Sequence, residues 1–392
     1  RKALGQLSRT DVSFDIDRYR KWFLRYNTQT GTRAPGLFAS PSVIVIGALD
    51  IPQCKKYRVM QKVEYFSTRS IPCEYTEYRD LTRAFSGMQL ATVAILYRVP
   101  MGLEYEALKQ EAARLGLPLY YDIDDPIFDE ATYRDNRNLD VLSAREREHL
   151  LAQIPGYKRV MEDVGRVIVS TTGMSERVRS ATNVDTVIVW PNLIDSATQN
   201  IFEQLPPRNT GAREHIALGY FSGSRAHDLD LDLVAGVLAK LLQSDSRLQL
   251  YLGGYTSLPA SLSDLGDRIT FLGFMSYHAY LEHLAAMDIH IVPLLIDRFN
   301  ACKSGIRYLE ASMCTVPTVA SSVGQFTEMI EDGVTGFLCN TPEDWQQALT
   351  ELTENPQRRL EMAQAARRSV LASYSLSNER YNTLAGDIID VA

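Results

Sequence analysis

The densest run of chemically capable residues is Asn300-Ala-Cys-Lys-Ser-Gly-Ile-Arg-Tyr-Leu-Glu310. It follows an apolar run and opens a helix-like segment. The N-terminus of a helix offers free backbone amides and positive potential, a setting that favours phosphate. Lys303 stands at that start beside Ser304, and Arg307 follows about one turn later, so the two cations together can neutralise a diphosphate. Glu310 lies seven residues after Lys303, near the same helical face, where a carboxylate can accept two hydroxyls of a ribose. An amphipathic helix with a basic start would use the same residue types. A lysine in the first turn opposes the helix dipole, however, which weighs towards function.

Three other segments could carry chemistry. In Tyr220-Phe-Ser-Gly-Ser-Arg-Ala-His-Asp228 a strand meets Gly223 and Ser224, small enough for a ligand to approach the backbone. Arg225 follows and can pair with phosphate in a forked geometry, and His227 is close by. Many ordinary α/β connections look like this. In Tyr121-Asp122-Ile-Asp124-Asp125-Pro126 the carboxylates could bind a divalent metal, act as a base or bind sugar hydroxyls. Alternatively, an aspartate there caps the next segment. Like charges this close repel, so burial would raise one pKa. In Ser321-Ser-Val-Gly324-Gln-Phe-Thr-Glu328 the amides after Gly324 could meet the polar end of a ligand, or form a plain strand-to-helix loop. His278, His283 and His290 read as structural. Ser-His-Asp order, a Walker A loop and G-x-G-x-x-G are all missing, which weighs against nucleotide hydrolysis and dinucleotide chemistry.

These segments need a scaffold. Strands are expected over 42–47, 92–97, 119–123, 166–170 and 186–190, alternating with helices over 55–67, 103–115, 144–164 and 174–180. Gly116 with Pro118 beyond it is a helix stop. Polar, Pro- and Gly-containing residues 203–214 read as a linker or surface loop. The second half repeats the logic, with strands over 215–221, 248–253, 268–272, 289–294 and 317–320. Its helices are expected over 231–242, 278–287, 304–313, 341–354, 356–373 and 377–391. Buried runs alternating with helices imply parallel sheets covered on both faces. The result is two doubly wound α/β domains whose strand ends face a shared cleft.

Composition narrows the function. Of 392 residues, 45% are apolar and 23% charged, which excludes general disorder. The formal charge is −7, from 41 basic and 48 acidic residues, so no nucleic-acid partner is expected. Five cysteines without a C-x-x-C pair suggest neither a zinc site nor a disulfide framework, and a reducing cytosol is the simplest compartment. No run of about 18 apolar residues is present to span a membrane. The start, Arg1-Lys2-Ala3, has no initiator Met and no apolar signal core, so a longer polypeptide is expected around it.

The stretch from Lys303 to Leu338 resembles the C-terminal domain of family 4 (group 1) retaining glycosyltransferases. Leu309-Glu310-Ala311, Pro317-Thr-Val-Ala-Ser321, Glu328, Gly333 and Gly336-Phe-Leu338 carry the likeness. Trp190-Pro191-Asn192-Leu-Ile-Asp195 is similar to the family's Pro-Asn-Gly-x-Asp hinge. Two departures stand out. Cys302 occupies the place of the first glutamate of the family's pair, and the phosphate-binding Gly-Arg…Lys pattern is altered around 223–228. Lys303 fits a branch with Lys-Ser-x-Ile-Lys/Arg-Tyr-Leu-Glu.

The resemblance implies the GT-B fold: an acceptor-side Rossmann-like domain over 1–194, a nucleotide-sugar domain over 195–374, and a C-terminal helix over 375–392 crossing back to the first. It implies transfer from a nucleotide-diphosphate sugar to a bacterial glycan, polysaccharide or glycolipid acceptor with retention, in the cytoplasm or at the inner membrane face. Neither an obligatory metal nor another cofactor is implied. Lys303, Asp124 and Asp125 are the expected catalytic residues. Gly223, Ser224, Arg225, Ser304, Arg307, Glu310 and Gly324 are expected at the donor, and Gly47, Asp122 and His227 on the acceptor side. The rivals are a sugar-nucleotide epimerase of the same fold and a degenerate module that binds without turnover.

Overall fold

The structure is a computed structural model that describes residues 40–205, 215–223 and 228–389. The first sheet begins with β1 (Val43–Gly47), every residue of which is buried. Helix α1 follows over 52–67; Pro52–Cys54 opens it, Lys55–Met60 is π-helical, and Gln61–Ser67 completes it. Next come β2 (Cys73–Glu77), α2 (Leu81–Leu90), β3 (Val93–Tyr97), α3 (Leu103–Leu115) and β4 (Leu119–Ile123). A short α4 (Glu130–Arg134) and a 3-10 turn (Arg137–Val141) lead to α5 (Ala144–Val164), β5 (Arg166–Val169), α6 (Thr172–Ala181) and β6 (Thr186–Val189). The strands are parallel in the order β2-β1-β3-β4-β5-β6.

Helix α7 (Ser196–Gln204) connects to the second sheet: β7 (Ile216–Ser222), α8 (Asp228–Ser244), β8 (Leu248–Gly254), β9 (Ile269–Gly273), α9 (Tyr277–Ala286) and β10 (Ile289–Val292). Then follow α10 (Ile306–Met313), β11 (Thr318–Ser321), α11 (Phe326–Met329), β12 (Phe337–Cys339), α12 (Pro342–Glu354), α13 (Pro356–Tyr374) and α14 (Thr383–Ile389). Its order is β12-β11-β10-β7-β8-β9, again all parallel. The chain reverses direction between β1 and β3 in one sheet and between β7 and β10 in the other. Ligands in such sheets bind beyond the strand ends at these switch points.

Local signals explain the elements that match expectation. Gly116 ends α3 in the left-handed conformation, φ 60°. A capping box of Ser143 and Glu146 starts α5, and Gly165 at φ 70° stops it, so Pro155 does not interrupt the helix. Six of these elements lie outside the expected ones: β2, α2, α4, α7, α11 and β12. Strand β2 reads Cys-Glu-Tyr-Thr-Glu and sits at a sheet edge with only Thr76 buried, so it lacks an apolar run. The expected last helix is two pieces, a 3-10 turn at Glu379–Tyr381 and α14. Leu376, Tyr381, Leu384 and Ile388 there pack into the core beside Val43, Val45, Tyr65 and Trp190 of the first sheet.

Candidate functional site

The two sheets meet at an ion-pair cluster. Arg98, just past β3, donates from Nε to Asp124 Oδ1 and from Nη2 to Asp125 Oδ2, both at 2.5 Å. Lys303 Nζ, in the connection from β10 to α10, lies 2.9 Å from Asp125 Oδ1. Tyr97 Oη also donates to Asp124 Oδ1, at 3.1 Å. The Lys303 and Asp125 side chains each remain 24% exposed, so a ligand can reach the pair. Burial pushes the Asp125 carboxyl up, but Lys303 and Arg98 outweigh it and hold it well below the usual carboxylate range. A carboxyl lowered on folding adds stability above its unfolded pKa and loses it only as pH falls through the depressed value. Mild acid therefore leaves this bridge closed.

Arg98 was missed in the sequence. Its backbone sits at φ 48°, a left-handed conformation uncommon for residues other than glycine. Such conformations concentrate at functional sites. The available signal was a lone arginine directly after a buried strand at a sheet switch point.

Lys303 itself is not in a helix. It closes a 3-10 turn, Asn300–Cys302, in extended backbone, and α10 begins only at Ile306 after Gly305. The turn at Gly324 fixes this link. Gln325 N donates to the Lys303 carbonyl at 3.2 Å, and Gly305 N donates to Gln325 Oε1 at 2.9 Å. Gly324 has φ 60°, and a Cβ there would lie 2.6 Å from the Asn300 carbonyl. Gly324 therefore packs beneath Lys303 rather than facing a ligand with its amides. Cys302 turns away from the cleft, against the α6 N-terminus, where Thr171 Oγ1 donates to its carbonyl at 3.0 Å. Burial pushes its thiol up to about 12, so it is a packing residue and no nucleophile.

Two acceptor-side assignments need correction. Asp122 is fully buried behind the cleft. Its Oδ1 accepts from Arg58 Nε at 3.0 Å and Nη2 at 2.8 Å, and its Oδ2 pairs with Lys62. Burial and the neighbouring Arg58 push the Lys62 ammonium down to about 8, with Asp122 pulling the other way. Gly47 serves close packing, because a Cβ there would come 2.8 Å from Tyr97 Cβ. Arg58 continues the network: Nη1 donates to the Trp190 carbonyl at 2.7 Å and to Asn192 Oδ1 at 3.1 Å. Asn192 Nδ2 then donates to Ser304 Oγ at 3.1 Å. Ser304 thus joins the buried network to the Lys303 link.

Glu310 is buried, with both oxygens occupied. Tyr57 Oη donates to Oε1 at 2.6 Å and Tyr280 Oη to Oε2 at 2.8 Å, while Tyr57 and Tyr277 hydroxyls stand 3.1 Å apart. Burial pushes the Glu310 carboxyl up, opposed by hydrogen bonds from the three tyrosines. Tyr57 comes from the first domain. Three consecutive residues of the π-helical stretch of α1 reach three different partners. Lys56 goes to Asp195 at 2.5 Å, Tyr57 to Glu310 and Arg58 to Asp122. Single π turns often occur at functional positions.

Arg307, in the first turn of α10, has an Nη1 that is buried without a hydrogen-bond partner. Burial, helped by Arg307, pushes nearby His290 down to about 3, so the ring is neutral. Gly223 is exposed at the end of β7. Ser224, Arg225 and His227 lie outside the described residues. The sequence reading also missed an aromatic pair beyond β8 and β9. Tyr255 and Phe274 stack with centroids 5.0 Å apart and are 48% and 63% exposed. Among the described residues no three His, Cys, Asp or Glu side chains form a metal-ligand set, and no helix is long and apolar enough to cross a membrane.

The model of the group 1 glycosyl transferases matches residues 217–355, the part that holds Gly223, Lys303, Arg307 and Glu310. Over these residues the chain is similar to the group 1 glycosyl transferases. Similar curated proteins are D-inositol 3-phosphate glycosyltransferases. That of Kineococcus radiotolerans is 28% identical over 55% of this chain and 56% of its own length. That of Rhodococcus jostii is 25% identical over 63% and 60%. The matches thus span little more than half the length of these relatives. Two solved structures share the fold over 90% of this chain and all of theirs. HepE of Anabaena in complex with UDP has a TM-score of 0.62 at 13% identity. Sucrose-phosphate synthase of Thermosynechococcus elongatus has 0.60 at 15%. The two parallel sheets have the GT-B fold.

Proposed function

We propose that the chain transfers a sugar, with retention at the anomeric carbon, from a nucleotide-diphosphate sugar to a bacterial glycan or glycolipid acceptor. The donor sits on the second domain, near 195–374, and the acceptor on the first, near 1–194, with 375–392 returning to the first. The observation that carries this reading is the β10–α10 connection at the second switch point. It presents the Lys303 ammonium and an arginine, Arg307, whose buried nitrogen has no protein partner. As the diphosphate departs it gains charge, and fixed cations aimed at it lower the barrier. Tyr255 and Phe274 offer a face on which the base can stack. HepE is solved with UDP and with UDP-glucose, so uridine donors come first in a test. Work at the cytoplasmic membrane face accords with a lipid-linked acceptor.

Glu310 anchors the ribose by exchange. Its tyrosine phenols occupy the positions that two ribose hydroxyls would take, and donor entry displaces Tyr57. Calorimetric titration with UDP should show Glu310→Gln weaker by about 1.5–3 kcal/mol, the range for a hydrogen bond to a charged group. Tyr57→Phe should bind UDP at least as tightly as the unaltered protein. Unchanged affinity in Glu310→Gln would remove Glu310 from the donor site, and weaker binding in Tyr57→Phe would rule out the exchange. For the whole reading, a thermal-shift screen across UDP-, GDP-, dTDP- and CMP-sugars should raise Tm with one base series. No shift with any of them would count against a nucleotide-sugar donor.

Cys302 and the occupied Glu310 favour one rival, a GT-B module that binds a nucleotide without turnover. Such a protein would pass the thermal-shift screen and release no nucleoside diphosphate.

A further inference from the structure

A cavity of about 310 Å³ opens beside the Arg98–Asp125–Lys303 cluster, roofed by the segment between α4 and α5. We infer that this cavity seats the acceptor, and that the group it takes is an uncharged, hydroxyl-bearing sugar or polyol with an apolar part, not a phosphate ester. The inference rests on the transferase reading above and names its acceptor class.

Two buried amides set the polarity. Asn138 Nδ2 donates to Asp230 Oδ1 of the second domain at 3.2 Å, and Asn138 Oδ1 is buried without a partner. Asn300 Nδ2 donates to the Leu295 carbonyl at 2.9 Å and towards Asp297 Oδ2 at 3.3 Å, and its Oδ1 is likewise without a partner. Because each nitrogen faces only acceptors, neither amide can be turned round. Both residues are 1% exposed and both line the cavity. An unpaired buried acceptor is costly, so a ligand hydroxyl that reached either oxygen from the cavity would be favoured. Hydroxyls supply donors, whereas an ionised phosphate has only acceptors.

Charge supports the same conclusion. Arg98 and Lys303 contribute +2, and Asp124 and Asp125, paired with them, contribute −2, so the floor is neutral. Among the described residues that line the cavity, no cation is left over for a phosphate on the acceptor. The opposite wall is apolar: Tyr133 and Phe299 meet with centroids 5.6 Å apart, and Leu139 packs with them. A volume near the lower end of ligand pockets, about 300–1,000 Å³, admits one sugar ring with a short apolar substituent. The curated relatives are named for inositol 3-phosphate, so this chain would differ from them in its acceptor.

The test titrates n-octyl β-D-glucoside below its micellar concentration, glucose, and glucose 6-phosphate into the protein by calorimetry, with and without UDP. The glucoside should bind more tightly than glucose, and glucose 6-phosphate at least tenfold more weakly than glucose. Leu142→Trp and Leu150→Trp enter the cavity from half-buried positions and should each weaken the glucoside at least tenfold while leaving UDP affinity unchanged. Two variants guard against one failing to fold. No glucoside binding to the unaltered protein, no effect of either folded variant, or glucose 6-phosphate binding as tightly as glucose would overturn the inference. Failure to bind UDP counts against the transferase reading instead, because the glucoside titration without UDP still reports on the cavity.

Discussion

Replacing Lys303 with alanine is expected to lower turnover by about 10²–10³, or about 2.7–4 kcal/mol, the usual loss for one preorganised electrostatic contact. The fold should survive, because Lys303 is part-exposed and the link around it is held through backbone and Gln325. Lys303 also holds Asp125 at 2.9 Å, so alanine leaves that carboxylate with Arg98 alone. Lys303 and Asp125 face each other across the cleft. The donor diphosphate must then compete with Asp125 for the ammonium. Asp125→Asn should therefore reduce turnover more than donor affinity. Lys303→Arg should restore only part of the rate, since a planar fork does not replace a compact ammonium. Near-normal turnover by Lys303→Ala on its true donor would move the role to Arg307.

Arg58→Ala is expected to cost the most stability, about 3–5 kcal/mol, as for other buried pairs that lose one partner. The mutation leaves Asp122 in the core with Lys62 alone and strips the Trp190 carbonyl and Asn192 of a donor. At about 2–4 °C per kcal/mol for domains of this size, Tm should fall by roughly 6–20 °C. Turnover of the folded fraction should fall as well, because Asn192 also holds Ser304 beside Lys303. A Tm loss of only a degree or two would show that the network contributes little. A large loss of Tm with unchanged turnover would disconnect it from the Lys303 link.

Much of this arrangement was legible in the amino-acid order because the elements are local. The apolar runs of β1 and β3, the glycine after α3 and the serine before α5 each act within one turn or one strand. The glutamate in Leu309-Glu310-Ala311 was legible as a motif. Its partners were not: Tyr57, Tyr277 and Tyr280 sit on helices where aromatic residues normally serve the core, and Tyr57 is 253 positions from Glu310. In the sequence Asp122 reads with Asp124 and Asp125 as one acidic turn. Strand β4 ends at Ile123, so Asp122 still lies within the sheet, buried against Arg58, whereas Asp124 and Asp125 follow beyond the strand end and meet Arg98. Arg98 carried no motif, and its role follows only from the place where β3 ends. The β2 edge strand was missed because its glutamates break any apolar run.

The account's central claim is that this chain moves a sugar from a nucleotide-diphosphate donor with the Lys303 connection stabilising the leaving group. The most direct measurement is nucleoside diphosphate release from the donor that shifts Tm, followed with octyl glucoside present, together with the anomeric configuration of the product by NMR. The account predicts release that depends on the glucoside, a product with the donor's anomeric configuration, and loss of at least 99% of the rate in Lys303→Ala. Donor binding without any release, release that Lys303→Ala leaves untouched, or an altered nucleotide sugar with no free diphosphate would contradict it.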